Sequence, residues 1–207
     1  MKYGAILLAA GKGTRYKGTK QDVLFHNKPL WRYAYETALE IITEDYIVVV
    51  GKNIKGGETR TGSVLNGLRA LPKDTDRVII VEAARPMVTK DQMLQLLTDN
   101  HVSVSFVRPL VNTVIYRDGK YINREELYDL LTPQSFDYKM LLDAYESGKF
   151  TDMSDETKAM FEFYKIKPYF IETGLNLFKV TYPGDLDIIE SIYQRQKKEG
   201  IRSWKKY

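Results

Sequence analysis

Runs of adjacent apolar residues constrain this chain most: YGAILLAA at Tyr3–Ala10, IVVV within Asp45–Val50, and RVIIV at Arg77–Val81. A strand that is apolar without alternation has no face to offer water, so it belongs inside a sheet covered on both sides. Between these runs the spacing changes. Leu30, Tyr33, Ala34, Thr37, Ala38 and Ile41 recur at helical intervals just after Pro29, which suits a first helical turn. Helices are expected at Gly62–Leu71 and at Thr89–Thr98, the latter capped by Thr89 with Asp91 in its first turn, and a fourth strand at Val102–Val107. The alternation predicts an α/β fold, a mostly parallel sheet with helices on both faces.

The second half reads differently. Thr113–Tyr116, Asp118-Gly119 and Tyr121-Ile122 suggest a hairpin with a type I′ turn, short and partly polar, and so an arm off the main sheet. Helices follow at Tyr138–Ser147 and Asp155–Tyr164, a strand at Pro168–Glu172, and a last helix at Asp185–Lys198; the RSWKKY tail reads as a solvated end. No repeat, low-complexity segment or long linker interrupts the 207 residues, which predicts a single domain, 1–207, with an arm at about 110–136.

Composition excludes some chemistries. The chain has no cysteine, so disulfides, thiolate metal sites and cysteine nucleophiles are ruled out. No apolar run is long enough to span a bilayer and no signal peptide precedes the first strand, which suits a cytoplasmic protein without a membrane partner. A net charge of +4, with no basic stripe interleaved with aromatics, suits a small anionic substrate and gives no support for nucleic acid.

The loop after the first strand, GKGTRYKGTKQ at Gly11–Gln21, combines glycines with Lys12, Arg15, Lys17 and Lys20. Such a loop lies at the carboxyl edge of a parallel sheet, where its amides can cradle phosphate. It is neither a dinucleotide fingerprint, since Tyr16 occupies the third glycine position, nor a Walker loop. A plain exposed basic loop is the alternative, and a polyphosphate site relying on side-chain charge as well as amides is the functional reading. Four more segments fall at the same predicted edge: GGETRTGSVLNGL at Gly56–Leu68, EAARP at Glu82–Pro86, TPQSF at Thr132–Phe136 and FKVTYPGDL at Phe178–Leu186. Taken alone, GGETR reads as an ordinary turn between strand and helix, and the EAARP carboxylate and guanidinium as a mutual ion pair.

In this order, AAGKGTR with Lys20-Gln21, GGETRTGSV, AARP, TPQSF and KVTYPGDL resemble the methylerythritol-phosphate cytidylyltransferases and the related ribitol-phosphate cytidylyltransferases, over about residues 4–190. The resemblance implies a Rossmann-like fold, CTP with Mg²⁺, a phosphorylated small alcohol as acceptor, and a homodimer with embracing hairpin arms. It places Ala9, Ala10, Gly11, Gly13 and Arg15 around the CTP phosphates with Lys20 beside them. It places Gly57, Glu58, Arg60 and Ser63 at the cytosine and ribose, and Lys179 near the reacting phosphates. Arg85 would contact the acceptor, Glu82 stands where the family has aspartate, and Ser154 where it has threonine. Thr113 and Arg124 match arm residues that reach the acceptor in the neighbouring subunit. Arg15, Lys20 and Lys179 are the catalytic candidates. No side-chain metal ligand is assigned; Mg²⁺ would be held mainly by the triphosphate.

The implied reaction is in-line attack of an acceptor phosphate on the α-phosphorus of CTP. A phosphate monoester is largely dianionic at neutral pH, so no general base is needed, and His26 and His101 both lie outside the motifs. Two departures bear on the acceptor. HDAARP of the family appears as VEAARP, and the stretch between DYIVVV and GGETR is short by about a strand and a helix. Both favour a polyol phosphate such as ribitol 5-phosphate over methylerythritol phosphate. Two further readings are a nucleotide-binding regulator without turnover and a sugar-1-phosphate nucleotidyltransferase. The first would not need Arg15, Lys20 and Lys179 together, and the second lacks TPQSF and the arm.

Overall fold

A computed structural model describes residues 1–174 and 177–201. The RSWKKY tail lies outside them. A central sheet has the order β10-β6-β9-β5-β1-β4, formed by β1 (Tyr3–Leu8), β4 (Ile47–Val50), β5 (Arg77–Glu82), β6 (Ser103–Pro109), β9 (Tyr128–Asp137) and β10 (Tyr169–Glu172). All adjacent pairs run parallel except those of β9, which is antiparallel to both β5 and β6. The expected α/β sheet is therefore present, with one reversed strand in its middle.

Helices cover both faces, as the unalternating strands require. Ala5, Leu7, Val49, Ile79 and Val81 pack on one side with α1 (Leu30–Leu39) and α3 (Lys90–Leu97). Ile6, Val48, Val50, Val78 and Ile80 pack on the other with α2 (Arg60–Ala70), α4 (Tyr138–Glu146) and α5 (Glu156–Tyr164). The helix starts are chemically marked. Thr89 and Gln92 form a reciprocal capping box on α3, Thr59 caps α2, Asp137 caps α4 and Asp155 caps α5. The last helix, α6 (Asp185–Lys198), carries Asp185 and Asp187 in its first turn and Arg195, Lys197 and Lys198 in its last, each sign at the favourable end of the dipole.

The sequence reading assigned no strand at β9; Pro133 cannot donate to a ladder, which disfavours a central position. The chain resolves this with an irregularity: Ser105 faces Gln134 but Phe106 faces Leu131, so Thr132 and Pro133 drop out of register. The turn of the arm also differs from expectation. Strands β7 (Val114–Ile115) and β8 (Tyr121–Ile122) do pair, but a type I′ turn needs positive φ at both central residues, and Asp118 does not have it. Instead Gly119 N donates to Tyr116 O at 2.9 Å and Gly119 alone, at φ 91°, is left-handed, a type I turn followed by a glycine bulge. The residues with the I′ signature are His26 (φ 46°) and Asn27 (φ 59°), in a small hairpin between β2 (Leu24–Phe25) and β3 (Lys28–Pro29) that the sequence reading did not identify.

Candidate active site

The carboxyl ends of β1, β4, β5 and β10 open onto one edge, and their loops enclose a cleft of about 410 Å³. The loop after β1 supplies Ala10, Gly11, Gly13, Arg15 and Lys20 to its wall. It doubles back tightly: a Cβ on Gly13, at φ 60°, would lie 1.9 Å from Gly18 O, so only glycine fits there. Gln21 ties the loop down by donating from Nε2 to Gly11 O at 3.1 Å. Ala9, expected among the phosphate contacts, is instead buried beneath the loop, where its N–H donates to Val50 O.

The opposite wall comes from the turn into α2, with Gly57, Glu58, Arg60 and Ser63. Ser63 Oγ accepts from Gly57 N at 3.1 Å and donates to Thr59 O at 3.0 Å, so the hydroxyl shapes the turn as well as facing the cleft. Gly57 packs so closely on Gly62 that a Cβ would sit 2.5 Å from its carbonyl carbon. This turn follows β4 directly through residues 51–59, with no intervening strand or helix, consistent with the shortened stretch in the sequence.

The floor is charged. Glu82, at the end of β5, places Oε2 2.6 Å from Lys179 Nζ and 3.8 Å from Arg85 Nε. Burial opposes ionisation of Glu82, but Lys179, Arg85 and Arg60 outweigh it and hold its carboxyl below the usual range. Lys20 Nζ donates to Val180 O at 2.9 Å. Burial, then the nearby charge of Lys179, lowers the pKa of Lys20, with Arg15 and Arg85 adding to the effect against Glu82. Two lysines and a carboxylate thus converge beside a glycine loop, an arrangement that accepts a polyanion and can compensate charge growing at phosphorus.

Arg85 lies under this floor rather than on it. It is buried, donating from Nε to Thr132 Oγ1 at 2.8 Å and from Nη1 to Leu177 O. Thr132, which falls in the β9 irregularity, also donates to Glu82 Oε2 at 3.4 Å and so bridges the two charges. Ser154, Thr113 and Arg124 are exposed and do not line the cleft; Arg124 donates to Val111 O within the arm. The histidines are elsewhere, as expected: His26 pairs with Glu190 at 2.6 Å and His101 with Asp99 at 2.8 Å. Sequence reasoning missed Tyr16, Gln21, Thr59 and Thr181, which also line the cleft, and Tyr145 and Glu156, which stand behind Arg60. Tyr16, Gln21, Thr59, Thr132 and Thr181 all lie within the motif segments, but nothing local marks Glu156.

A glycine-bearing loop, a turn into α2 and cations converging at the carboxyl edge of an α/β sheet are the parts a nucleotidyltransferase requires. The family model described as 2-C-methyl-D-erythritol 4-phosphate cytidylyltransferase matches residues 35–195, and the chain belongs to that family. Its relatives include the 2-C-methyl-D-erythritol 4-phosphate cytidylyltransferases of Clostridium botulinum (strain Langeland), 32% identical across 94% of this chain and 98% of that protein, and of Aquifex aeolicus, 32% identical across 92% and 97%. The Clostridium alignment runs over 226 positions against 207 residues here, so the relative carries insertions. Among solved structures, the bifunctional IspDF of Campylobacter jejuni superposes with a TM-score of 0.80 at 27% identity, over 90% of this chain and 54% of that one. The 4-diphosphocytidyl-2C-methyl-D-erythritol synthase of Anaerococcus prevotii, at 22% identity and a TM-score of 0.76 over 94% and 96%, shares the fold. The chain is a cytidylyltransferase.

Proposed function

We propose that this cleft binds CTP and transfers CMP to the phosphate of a small phosphorylated alcohol, with 2-C-methyl-D-erythritol 4-phosphate as the acceptor. The convergence of Lys20, Lys179 and Glu82 beside the glycine loop carries the reading, and the names of the full-length relatives supply the acceptor. The triphosphate would lie against Gly11, Gly13 and Arg15, and the base and ribose against Gly57, Glu58, Arg60 and Ser63. An acceptor phosphate oxygen forms a bond to the α-phosphorus while the bond to the bridging oxygen of pyrophosphate breaks. Arg15, Lys20 and Lys179 offset the charge that develops. Glu82 holds Lys179 at the floor until the phosphates arrive and offers its second oxygen to acceptor hydroxyls.

Among the described residues no group of three or more His, Asp or Glu is placed to hold a metal. With Glu82 already paired, the donor set fits a divalent cation carried mainly by the triphosphate, which when bound supplies charge neutralisation across the phosphates. In this reading Ser154 is near the acceptor path, and Thr113 and Arg124 reach the acceptor of a second copy in a homodimer. No helix among the described residues is long and apolar enough to cross a membrane.

Two departures from the family pattern, Glu82 at the floor and the short 51–59 connection beside the nucleotide wall, favour a second acceptor, ribitol 5-phosphate. Pyrophosphate release from CTP, measured as kcat/KM for each acceptor, tests both readings. Methylerythritol phosphate is expected to be the better substrate; a clear preference for ribitol 5-phosphate would replace it, and no release with either would remove the assignment of the acceptor class.

A further inference from the structure

Glu156, the first residue of α5, is 0% exposed and has no part in the chemistry above. Both its oxygens are occupied. Arg60 Nη2 donates to Oε2 at 2.8 Å, Arg60 Nη1 donates to Oε1, and the Tyr145 hydroxyl donates to Oε1 at 3.1 Å. Burial disfavours charge on both partners and raises the pKa of Glu156 against the pull of Arg60 and Tyr145. For Arg60 the contact with Glu156 outweighs burial and raises the pKa. The two-point contact between guanidinium and carboxyl is that of an ion pair. The same Arg60 opens α2 and lines the cleft beside Gly57, Glu58 and Ser63. Neighbouring contacts pin the segment further: Met153 N donates to Thr61 Oγ1 at 2.6 Å, and Gln134 Nε2 donates to Asp155 Oδ2 at 2.7 Å.

Holding α5 against α2 does not by itself need ions. Desolvation offsets most of what a buried ion pair gains, and apolar side chains of similar volume often serve as well or better. A bidentate carboxylate does something apolar groups cannot, which is to fix the plane and direction of a guanidinium. We propose that Glu156, braced by Tyr145, is a positioning residue that aims Arg60 into the cleft wall and thereby sets affinity for the nucleoside part of CTP. This rests on the reading of the cleft as a CTP site.

Calorimetric titration tests it, with CTP and with inorganic pyrophosphate, which would engage only the phosphate loop. Glu156→Gln keeps the volume but leaves the Arg60 charge unpaired. It is expected to raise the Kd for CTP about tenfold while the Kd for pyrophosphate stays within about twofold. Glu156→Asp, which keeps the charge, is expected to recover part of the loss. In an Arg60→Met background, adding Glu156→Met should change the Kd for CTP by less than about twofold, because Glu156 acts only through Arg60. This apolar pair also provides the test should Glu156→Gln fail to fold. A purely structural role predicts a lower Tm with CTP binding unmoved, or CTP and pyrophosphate weakened alike. Either result, or a further loss in the Arg60→Met background, overturns the proposal. Wild-type protein that bound pyrophosphate but not CTP would instead remove the reading of the cleft, and this assignment with it.

Discussion

Lys20 and Glu82 show how far single side chains can be taken. Lys20 sits where burial and Lys179 disfavour its charge, so an incoming triphosphate relieves a cost already present in the free site. Lys20→Ala is expected to lower kcat by about 10²–10³-fold, with the Kd for CTP changing less, in stopped-time pyrophosphate assays. Because the pKa is lowered, the protonated form is lost at lower pH than for an ordinary lysine. The alkaline limb of kcat/KM for CTP should therefore lie below the usual lysine range, and Lys20→Arg should move it upward. Glu82 is held by Lys179 at 2.6 Å through the reach of its extra methylene. Glu82→Asp should loosen that contact and change the ratio of kcat/KM between methylerythritol phosphate and ribitol 5-phosphate more than it changes the Kd for CTP. An unaltered ratio would separate Glu82 from acceptor selection.

At the level of elements, α2 lies very close to the sheet. A Cβ on Gly67 would meet Ile6 Cγ2 at 2.6 Å and Val50 Cγ2 at 3.1 Å, both on β-branched side chains packed in the core. Alanine gains about 1 kcal/mol of helix preference there, but overpacking costs about 1–3 kcal/mol. Gly67→Ala is thus expected to lower the unfolding free energy by up to about 2 kcal/mol at unchanged m-value in urea. The helices were legible from their spacing and the buried strands from unbroken apolar runs: IVVV and RVIIV suit interior strands, and Thr89 with Asp91 announced α3. β9 was not, since Pro133 denies a central strand to any local reading and only the register slip opposite Ser105 and Phe106 admits it. The cleft divides the same way. Gly11–Arg15 and Gly57–Ser63 could be found because each is one contiguous segment downstream of a buried strand, whereas Glu156 meets Arg60 across 96 residues without any shared pattern.

For the whole molecule, the arm leaves the sheet after β6 and returns along β9, and its Thr113 and Arg124 are not among the residues lining the cleft. A hairpin with two-residue strands has little stability of its own. Mixing Arg124→Ala with Arg15→Ala subunits should restore activity at one hybrid site of a heterodimer, and proven heterodimers without activity would sink the shared-site reading. β9 itself is paired on both sides only at Gln134–Phe136, while Tyr128–Leu131 meets β6 alone. Deuterium uptake along this one strand should therefore be graded, slow at the end seated between β5 and β6 and faster toward the arm. A motion of the arm would then fade within the strand, before it reached the centre of the sheet.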